Sequence, residues 1–196
     1  MRFVLSYDGP LPSTGNSYGK KWIAKLPHIW KIRNAIHPQI EQVFKTHPAF
    51  TSTNTNRSRA AWGILNQPIS VGAAQFYAIA RSKLHLKCEL DVDILVNHDL
   101  ASIVNNAGDL DNRIKTLLDA LRVPAAPQEI QGHMPTNIVD YCCLLENDIL
   151  ISALRIETFR NTAAPLTAGA DHVRLNIKVR LEPLFDAFVN EPFRHD

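Results

Sequence analysis

The sequence predicts one α+β domain in which a mixed β-sheet packs against a few helices. The chain has 196 residues, a length typical of one domain. Segments 84–96 and 172–182 alternate apolar and polar residues, as half-buried strands do. Segment 112–122 repeats its apolar residues at helical spacing. Because we find no internal repeat and no second apolar core, one domain over residues 1–196 is the simplest arrangement.

The N-terminal part predicts a strand, a loop and two helices. Residues 2–7 form the strand, and the stretch DGPLPSTGNSYGKK that follows has the Gly, Pro, Ser and Asn content of a loop. Residues 21–36 show helical periodicity, in which Pro27 predicts a break. A short second helix is expected after it, with Pro38 in its first turn and Pro48 past its end.

Two polar or proline-containing segments are predicted as inserted loops, at 51–60 and at 123–140. Between the first loop and residue 83 the sequence has no clear period, apart from a possible strand at 76–79. Residues 97–108 predict another loop, and 141–145 and 149–158 predict strands. In segment 172–182 the alternation directs Arg174, Lys178 and Arg180 outward.

Composition bears on location and on the cysteines. No run of 18 apolar residues is present, which predicts no membrane span. The first residues, MRFVLSYDGP, are too few and too polar for a signal peptide, so a cytoplasmic location is expected. Three cysteines are an odd number, which favours buried, reduced thiols over a disulfide framework.

The most informative segment is 108–121, which contains a D-x-D pair at a predicted loop-to-helix junction. On a helical wheel, Asp111, Lys115 and Asp119 stack one turn apart along one edge of the apolar face. A purely structural interpretation is also open. Asp109 or Asp111 can cap the helix, and Lys115 can form ordinary ion pairs at i,i+4 spacing.

A further acidic stretch, Glu146-Asn147-Asp148, follows in a strand-like context. An aspartate within the apolar run LLENDILI is costly to bury unless a metal ion offsets the cost. Magnesium takes oxygen ligands and usually few carboxylates, with water and phosphate completing the shell. The sequence therefore predicts a Mg²⁺ site, with Mn²⁺ as a substitute, formed by Asp109, Asp111 and Asp148.

The string D-L-D-N-x-x-K-x-x-x-D-A-L, here Asp109 to Leu121, resembles the signature of the RusA-like Holliday junction resolvases. The later stretch from Asn147 to Ile151 is similar to the second acidic turn of that family, D-D-x-x-V/I. The Pro-Ser-rich stretch 9–13 after the first strand is similar to the family's opening. Asn147 departs from the pattern, because the family has an acid there, and Glu146 beside it is a candidate substitute. The chain is also longer than the family usually is.

The resemblance implies a compact domain that forms a homodimer and cuts four-way DNA junctions with magnesium. The expected catalytic residues are Asp109, Asp111, Lys115 and Asp148, and the expected supporting residues are Asp119, Glu146 and Asn112. In this scheme the carboxylates of Asp111 and Asp119 keep Lys115 charged and oriented toward the scissile phosphate.

Charge is unevenly distributed, with nine Lys/Arg and two Asp/Glu in residues 1–60. We call this segment the basic arm. We predict that its residues Lys20, Lys21, Lys25 and Arg33 contact the DNA backbone, with Trp22 and Trp30 interleaved among them in the sequence. Arg174, Lys178 and Arg180 are expected to add phosphate contacts. A solvated basic surface, tryptophans packed in the core and a plain solvated strand face are the alternatives.

Two other functions stay open on the sequence alone. One is a RusA-like protein that binds nucleic acid or protein without cutting, as Asn147 and the 123–140 insertion suggest. The other is a phosphohydrolase that uses the same acids on a small molecule.

Overall fold

The computed structural model describes residues 1–12, 20–47, 50, 61, 63–96, 107–136, 138, 140–160 and 171–193. The two named helices are α1 (Lys20–Thr46) and α2 (Ala107–Leu121). The strands are β1 (Arg2–Pro10), β2 (Ile69–Val71), β3 (Ala74–Ala80), β4 (Leu86–Val96), β5 (Asp140–Leu145), β6 (Ile151–Arg160) and β7 (His172–Pro183). Four short 3₁₀ segments are η1 (Ser82–Leu84), η2 (Pro127–Glu129), η3 (Asp148–Leu150) and η4 (Phe188–Phe193).

The strands form two mixed sheets rather than the single sheet that the sequence predicts. Sheet A has the order β1-β7-β4-β6, in which only the β4–β6 pair is parallel. Sheet B has the order β2-β3-β5, in which β2 and β3 are antiparallel and β3 and β5 are parallel. The predicted α+β class is confirmed, while the division of strands between two sheets was not predicted.

Alternation in β4 and β7 separates a core face from an outer face in sheet A. Every second residue of β4, from Leu86 to Val96, is buried, and β7 shows the same alternation with Val173 as its first buried position. Apolar side chains of the helices and of sheet B complete the core. These include Ile114, Leu117 and Leu121 of α2, which confirms the predicted apolar stripe.

Helix α1 is continuous across both prolines, which corrects the predicted break. Proline inside a helix removes one main-chain donor and usually bends or ends the helix. Here the apolar face of α1 is buried on both sides of Pro38, with Ile36 before it and Ile40 after it. Burial of this long face against the core outweighs the local cost, because tertiary packing supplies most helix stability.

Side chains of α1 cover one edge of each sheet. At β1, the amide of Gln39 accepts from the Ser6 N–H at 2.9 Å and donates to the Ser6 carbonyl at 2.7 Å. At β5, Nδ1 of His37 accepts from the Cys142 N–H at 2.9 Å. Exposed strand edges can pair with other chains, and covering them with a helix prevents this.

The described residues include all three cysteines of the chain. Cys88, Cys142 and Cys143 are free thiols, and Cys88 and Cys143 are buried. Burial raises the pKa of each of the three thiols to about 12.

None of the helices in the described ranges is both long and apolar enough to cross a membrane.

Candidate functional site at the start of helix α2

The first turns of α2 carry four of the predicted site residues: Asp109, Asp111, Asn112 and Lys115. Asp109 belongs to the helix, but its side chain lies outside the described residues. Asn112 is half-buried, and its main-chain oxygen accepts from the Thr116 hydroxyl at 2.9 Å. The helical start of the D-x-D motif is therefore observed, and the position of its first carboxylate stays a prediction.

Asp111 and Lys115 form an exposed ion pair. The Lys115 ammonium donates to Oδ2 of Asp111 at 2.6 Å, with side chains 45% and 63% exposed. An exposed i,i+4 pair contributes only about 0.2–0.5 kcal/mol to a helix. No described residue hydrogen-bonds the second oxygen, Oδ1 of Asp111. The pair thus leaves one carboxylate oxygen and a solvent-facing ammonium available for a ligand.

Asp119 does not support Lys115, which corrects the prediction of two carboxylates around that lysine. Its Oδ1 accepts from Nε and Nη2 of Arg122, at 3.1 and 2.9 Å. Arg122 also contacts the buried carboxylate of Glu129 at 3.4 Å. Asp119 is therefore tied to the C-terminal end of α2, away from the pair in its first turns.

Arg33, which is buried in the core, contacts the same C-terminal end of α2. Its guanidinium donates to the main-chain oxygens of Asp119, at 2.7 Å, and of Arg122, at 3.2 Å, and it lies 3.5 Å from the Glu129 carboxylate. Positive charge is favourable at a helix C-terminus, where the last carbonyls lack partners within the helix. Burial is the main cause that lowers the pKa of Arg33, and the Glu129 carboxylate opposes it.

These contacts remove part of the predicted DNA-binding arm. Arg33 is 1% exposed, so the prediction that it contacts a DNA backbone is wrong. Lys25 is also buried, at 4%, which argues against the same role for it. Trp30 is buried and donates to the Glu129 carbonyl, which confirms core packing for this tryptophan. The side chains of Lys20, Lys21 and Trp22 lie outside the described residues.

The second acidic stretch forms a turn between β5 and β6. Glu146 accepts from the Ser82 N–H at 2.7 Å, and the side chain of Asn147 caps η3 by accepting from the Ile149 N–H at 3.2 Å. Asp148 is exposed in the first turn of η3, which corrects the expectation that it is buried and needs a metal ion to offset the cost. Glu146 and Asn147 have local structural roles, and Asp148 is the exposed carboxylate of this turn.

Asp148 lies near the start of β4. It precedes Ile151 by three residues, and Ile151 is paired with Cys88 of β4. The eight-residue step from Cys88 to Val96, at the end of β4, corresponds to about 27 Å of extended strand.

Arg113 shows that α2 starts at the opposite end of sheet A. Its guanidinium donates to the Leu11 carbonyl and, at 2.8 Å, to the Asp171 carboxylate, directly beyond the paired ends of β1 and β7. Val173 of β7 is in turn paired with Val96. Asp111, two residues before Arg113, therefore lies toward the Val96 end.

This arrangement bears on the predicted metal site. Within the described part of the chain, no three His, Cys, Asp or Glu side chains lie close enough together to hold a metal ion. Since Asp111 and Asp148 lie toward opposite ends of the sheet, they do not fit as ligands of one ion held by a single chain. The D-x-D pair alone does suit Mg²⁺, which often takes one or two protein carboxylates plus phosphate and water.

The three basic residues predicted on β7 do face outward, but each is paired with carboxylates. Arg174 contacts Asp8 at 3.0 Å, and Lys178 contacts Asp93 at 3.0 Å and Asp91 at 3.8 Å. Arg180 contacts Glu182 and, at 3.5 Å, Glu89. The hydrogen bond to Asp93 is the main cause that raises the pKa of Lys178. Local neutralisation of this kind weakens the attraction of the outer face for phosphate.

Arg113 lies near the site and was not predicted as a site residue. It is buried, and its contacts with Leu11 and Asp171 fix the start of α2 against the end of sheet A. Its position beside the apolar stripe of α2 was the available signal, because an arginine there must be buried or reach past the core.

Comparison with known proteins finds no matching family model, no matching curated protein and no matching solved structure.

Proposed function

We propose that the protein is a magnesium-dependent endonuclease that acts on branched DNA, with its site at the start of α2. The observation that carries the proposal is the exposed Asp111–Lys115 pair within the D-L-D-N-x-x-K motif. Most charged groups at the other end of α2 are engaged in buried contacts, whereas this pair is open to solvent. The resemblance of the motif to RusA-like resolvases supplies the choice of reaction and substrate.

In this proposal the carboxylates of Asp109 and Asp111 hold the cation, with Mn²⁺ able to replace Mg²⁺. A bound divalent ion would polarise the phosphate and lower the pKa of attacking water. Lys115 would donate to a non-bridging phosphate oxygen and stabilise negative charge in the transition state. The Asp111 carboxylate holds the ammonium in place at 2.6 Å before substrate arrives.

The test is cleavage of a synthetic four-way junction, with linear duplex of the same sequence as comparison. We expect nicking of the junction with Mg²⁺, none with EDTA, and loss of nicking in Asp111→Asn. Glu41→Gln is the matched control, because Glu41 also forms a solvent-exposed i,i+4 pair, with Lys45 at 2.7 Å on α1. If no branched, flapped or linear DNA is cut with either metal, the proposal fails.

A second candidate is a RusA-like protein that binds branched DNA, or a protein partner, without cutting. It is favoured by the role of Asn147 as a cap of η3 and by the distance between Asp148 and the start of α2 within one chain. Junction binding that is the same with Mg²⁺ and with EDTA, in the absence of nicking, would establish binding without catalysis. Metal-dependent turnover would eliminate this candidate.

A further inference from the structure

Lys25 of α1 is a buried lysine to which the described residues supply no partner. It is 4% exposed, and no described carboxylate, carbonyl or hydroxyl lies within hydrogen-bonding distance of its ammonium. Lysine is rarely buried unless it is paired, because burying a charge without a partner is costly. An anionic group from another molecule would offset this cost.

The other buried lysine and arginine side chains of the described ranges all have partners within the chain. Arg81 donates to two main-chain carbonyls. Arg33 and Arg113 each donate to a main-chain oxygen and lie beside a carboxylate. The burial of these three side chains is therefore explained by contacts within the chain, whereas that of Lys25 is not.

Helical spacing places Lys25 on the buried face of α1. Ile29, Ile32 and Ile36 follow it by four, seven and eleven residues, and all three are buried. Residues at these spacings lie on one side of a helix. The Lys25 side chain therefore starts from the side of α1 that packs against the core, in a recess rather than on an open surface.

Helix α1 runs back along β1, so that it begins at the end of sheet A where α2 also begins. Its Gln39 is bonded to Ser6, in the middle of β1. The chain from Pro10 to Lys20 can span at most about 35 Å. If α1 ran in the other direction, Lys20 would lie about 40 Å from Pro10. Arg113 fixes the start of α2 beyond this same end of β1, so the starts of both helices lie at one end of the sheet.

We propose that the Lys25 ammonium binds a phosphate of branched DNA beside the start of α2, and that this contact selects branched over linear DNA. The inference rests on the proposed endonuclease function and adds a residue that determines its specificity. Burial excludes Lys25 from contact with a DNA backbone that follows an open surface. Lys115, by contrast, is exposed and can reach a phosphate of either kind of DNA.

The recessed position is the physical reason for the selection. A regular duplex holds its phosphates at even spacing along a straight path, where they cannot enter a recess in the protein surface. At a branch point the strands diverge, so that a phosphate can leave this path and reach the buried ammonium. Lysine neutralises such a phosphate as a point charge and needs no particular approach direction.

The test is fluorescence anisotropy with a labelled four-way junction and with a linear duplex of the same sequence, both in EDTA so that no DNA is cut. In Lys25→Met the slope of log K, where K is the DNA-binding constant, against log salt concentration should fall by about 1 for the junction and stay unchanged for the duplex. At fixed salt, the preference for the junction should fall roughly tenfold. Lys31→Met, at an exposed position on the same helix, is the control and should leave the preference unchanged.

Thermal unfolding separates this role from a structural one. Methionine keeps an unbranched apolar side chain in the recess and removes the charge, so Tm of Lys25→Met should equal or exceed that of the unmodified chain. Loss of junction binding at an undiminished Tm would then be due to the missing ammonium. A lower Tm with unchanged binding of the junction would assign Lys25 a purely structural role and overturn the inference.

The remaining outcomes separate this inference from the endonuclease proposal. An equal loss of affinity for junction and duplex would overturn the selection, and no loss for either would overturn the contact. A chain that binds the junction but never cuts it would refute the endonuclease, while binding in EDTA still decides the role of Lys25. An unmodified chain that binds neither DNA would overturn both proposals together.

Discussion

The guanidinium of Arg33 in α1 donates to the main-chain oxygen of Asp119 in α2 at 2.7 Å, inside the core. The same group lies 3.5 Å from the Glu129 carboxylate, so a helix end and a buried carboxylate share one cation. A charge in this position is favourable only while its partners are present.

Replacing Arg33 should destabilise the fold strongly. In Arg33→Met the Glu129 carboxylate keeps Arg122 as its one cationic partner among the described residues, and carbonyls at the end of α2 lose a donor. We expect the free energy of unfolding, measured in urea, to fall by about 3–5 kcal/mol. Lys31→Met, at an exposed position two residues earlier, should change it by less than about 0.5 kcal/mol. Equal effects of the two substitutions would mean that the buried contacts contribute nothing.

Removing Gln39 should open the edge of β1. Gln39→Ala deletes both hydrogen bonds to the Ser6 main chain, and the net loss is expected to be about 1 kcal/mol because water replaces them. Hydrogen exchange is the sharper measurement, since the Ser6 amide should exchange faster in the variant. Gln42→Ala, an exposed position on the same helix, serves as the control. Unchanged protection of Ser6 would show that another group covers this edge.

Lys178 should contribute little to DNA binding. The Lys178 ammonium is already paired with the carboxylates of Asp91 and Asp93. Lys178→Ala should therefore leave the slope of log K, where K is the DNA-binding constant, against log salt concentration nearly unchanged. A residue that neutralises one phosphate would reduce that slope by about 1. Lys115→Ala should show such a reduction if the start of α2 binds the scissile strand. Fluorescence anisotropy with a labelled junction across a salt series gives both values.

His37 should make stability depend on pH. Burial lowers the pKa of His37 below its usual 6.5, because the charged ring is poorly solvated inside the protein, and the carboxylate of Glu41 opposes this shift. Below pH 6.5 the unfolded chain therefore binds a proton that the folded chain still excludes, so stability falls as pH decreases through this range.

The comparison is thermal unfolding at pH 7.5 and pH 5.5. In His37→Asn, whose side chain keeps an acceptor but does not titrate, Tm should fall less between the two pH values than in the unmodified chain. His28→Asn on the same helix is the control and should behave as the unmodified chain does. An identical pH dependence in all three proteins would exclude His37 as the source.

Local periodicity predicts much of this fold. The alternation in β4 and β7 and the apolar stripe of α2 are properties of single elements, and each of them is observed. The continuity of α1 across Pro27 and Pro38 could not be predicted in this way, because it depends on burial against the core. The division of the strands between two sheets likewise depends on pairings between distant segments.

For the candidate site, too, local spacing predicts some contacts and not others. The exposed Asp111–Lys115 pair follows from helical spacing, and the structure has it. Helical spacing is compatible with Asp119 pairing with either Lys115 or Arg122, and it could not show that the i,i+3 pair with Arg122 is the one that forms. It also could not show that Arg33 is buried against the end of α2, because that depends on how distant segments pack. The side of the sheet on which Asp148 lies is likewise set by the parallel pairing of β4 with β6.

The position of β1 in sheet A has a consequence for how the chain folds during synthesis. Its pairing partner, β7, begins only at His172, so every β1–β7 pair joins residues more than 160 positions apart. Pairings this distant form slowly, because a long loop must close before any contact rewards it. A nascent chain can dock β1 on α1 through Ser6 and Gln39, but it can complete sheet A only after β7 has left the ribosome.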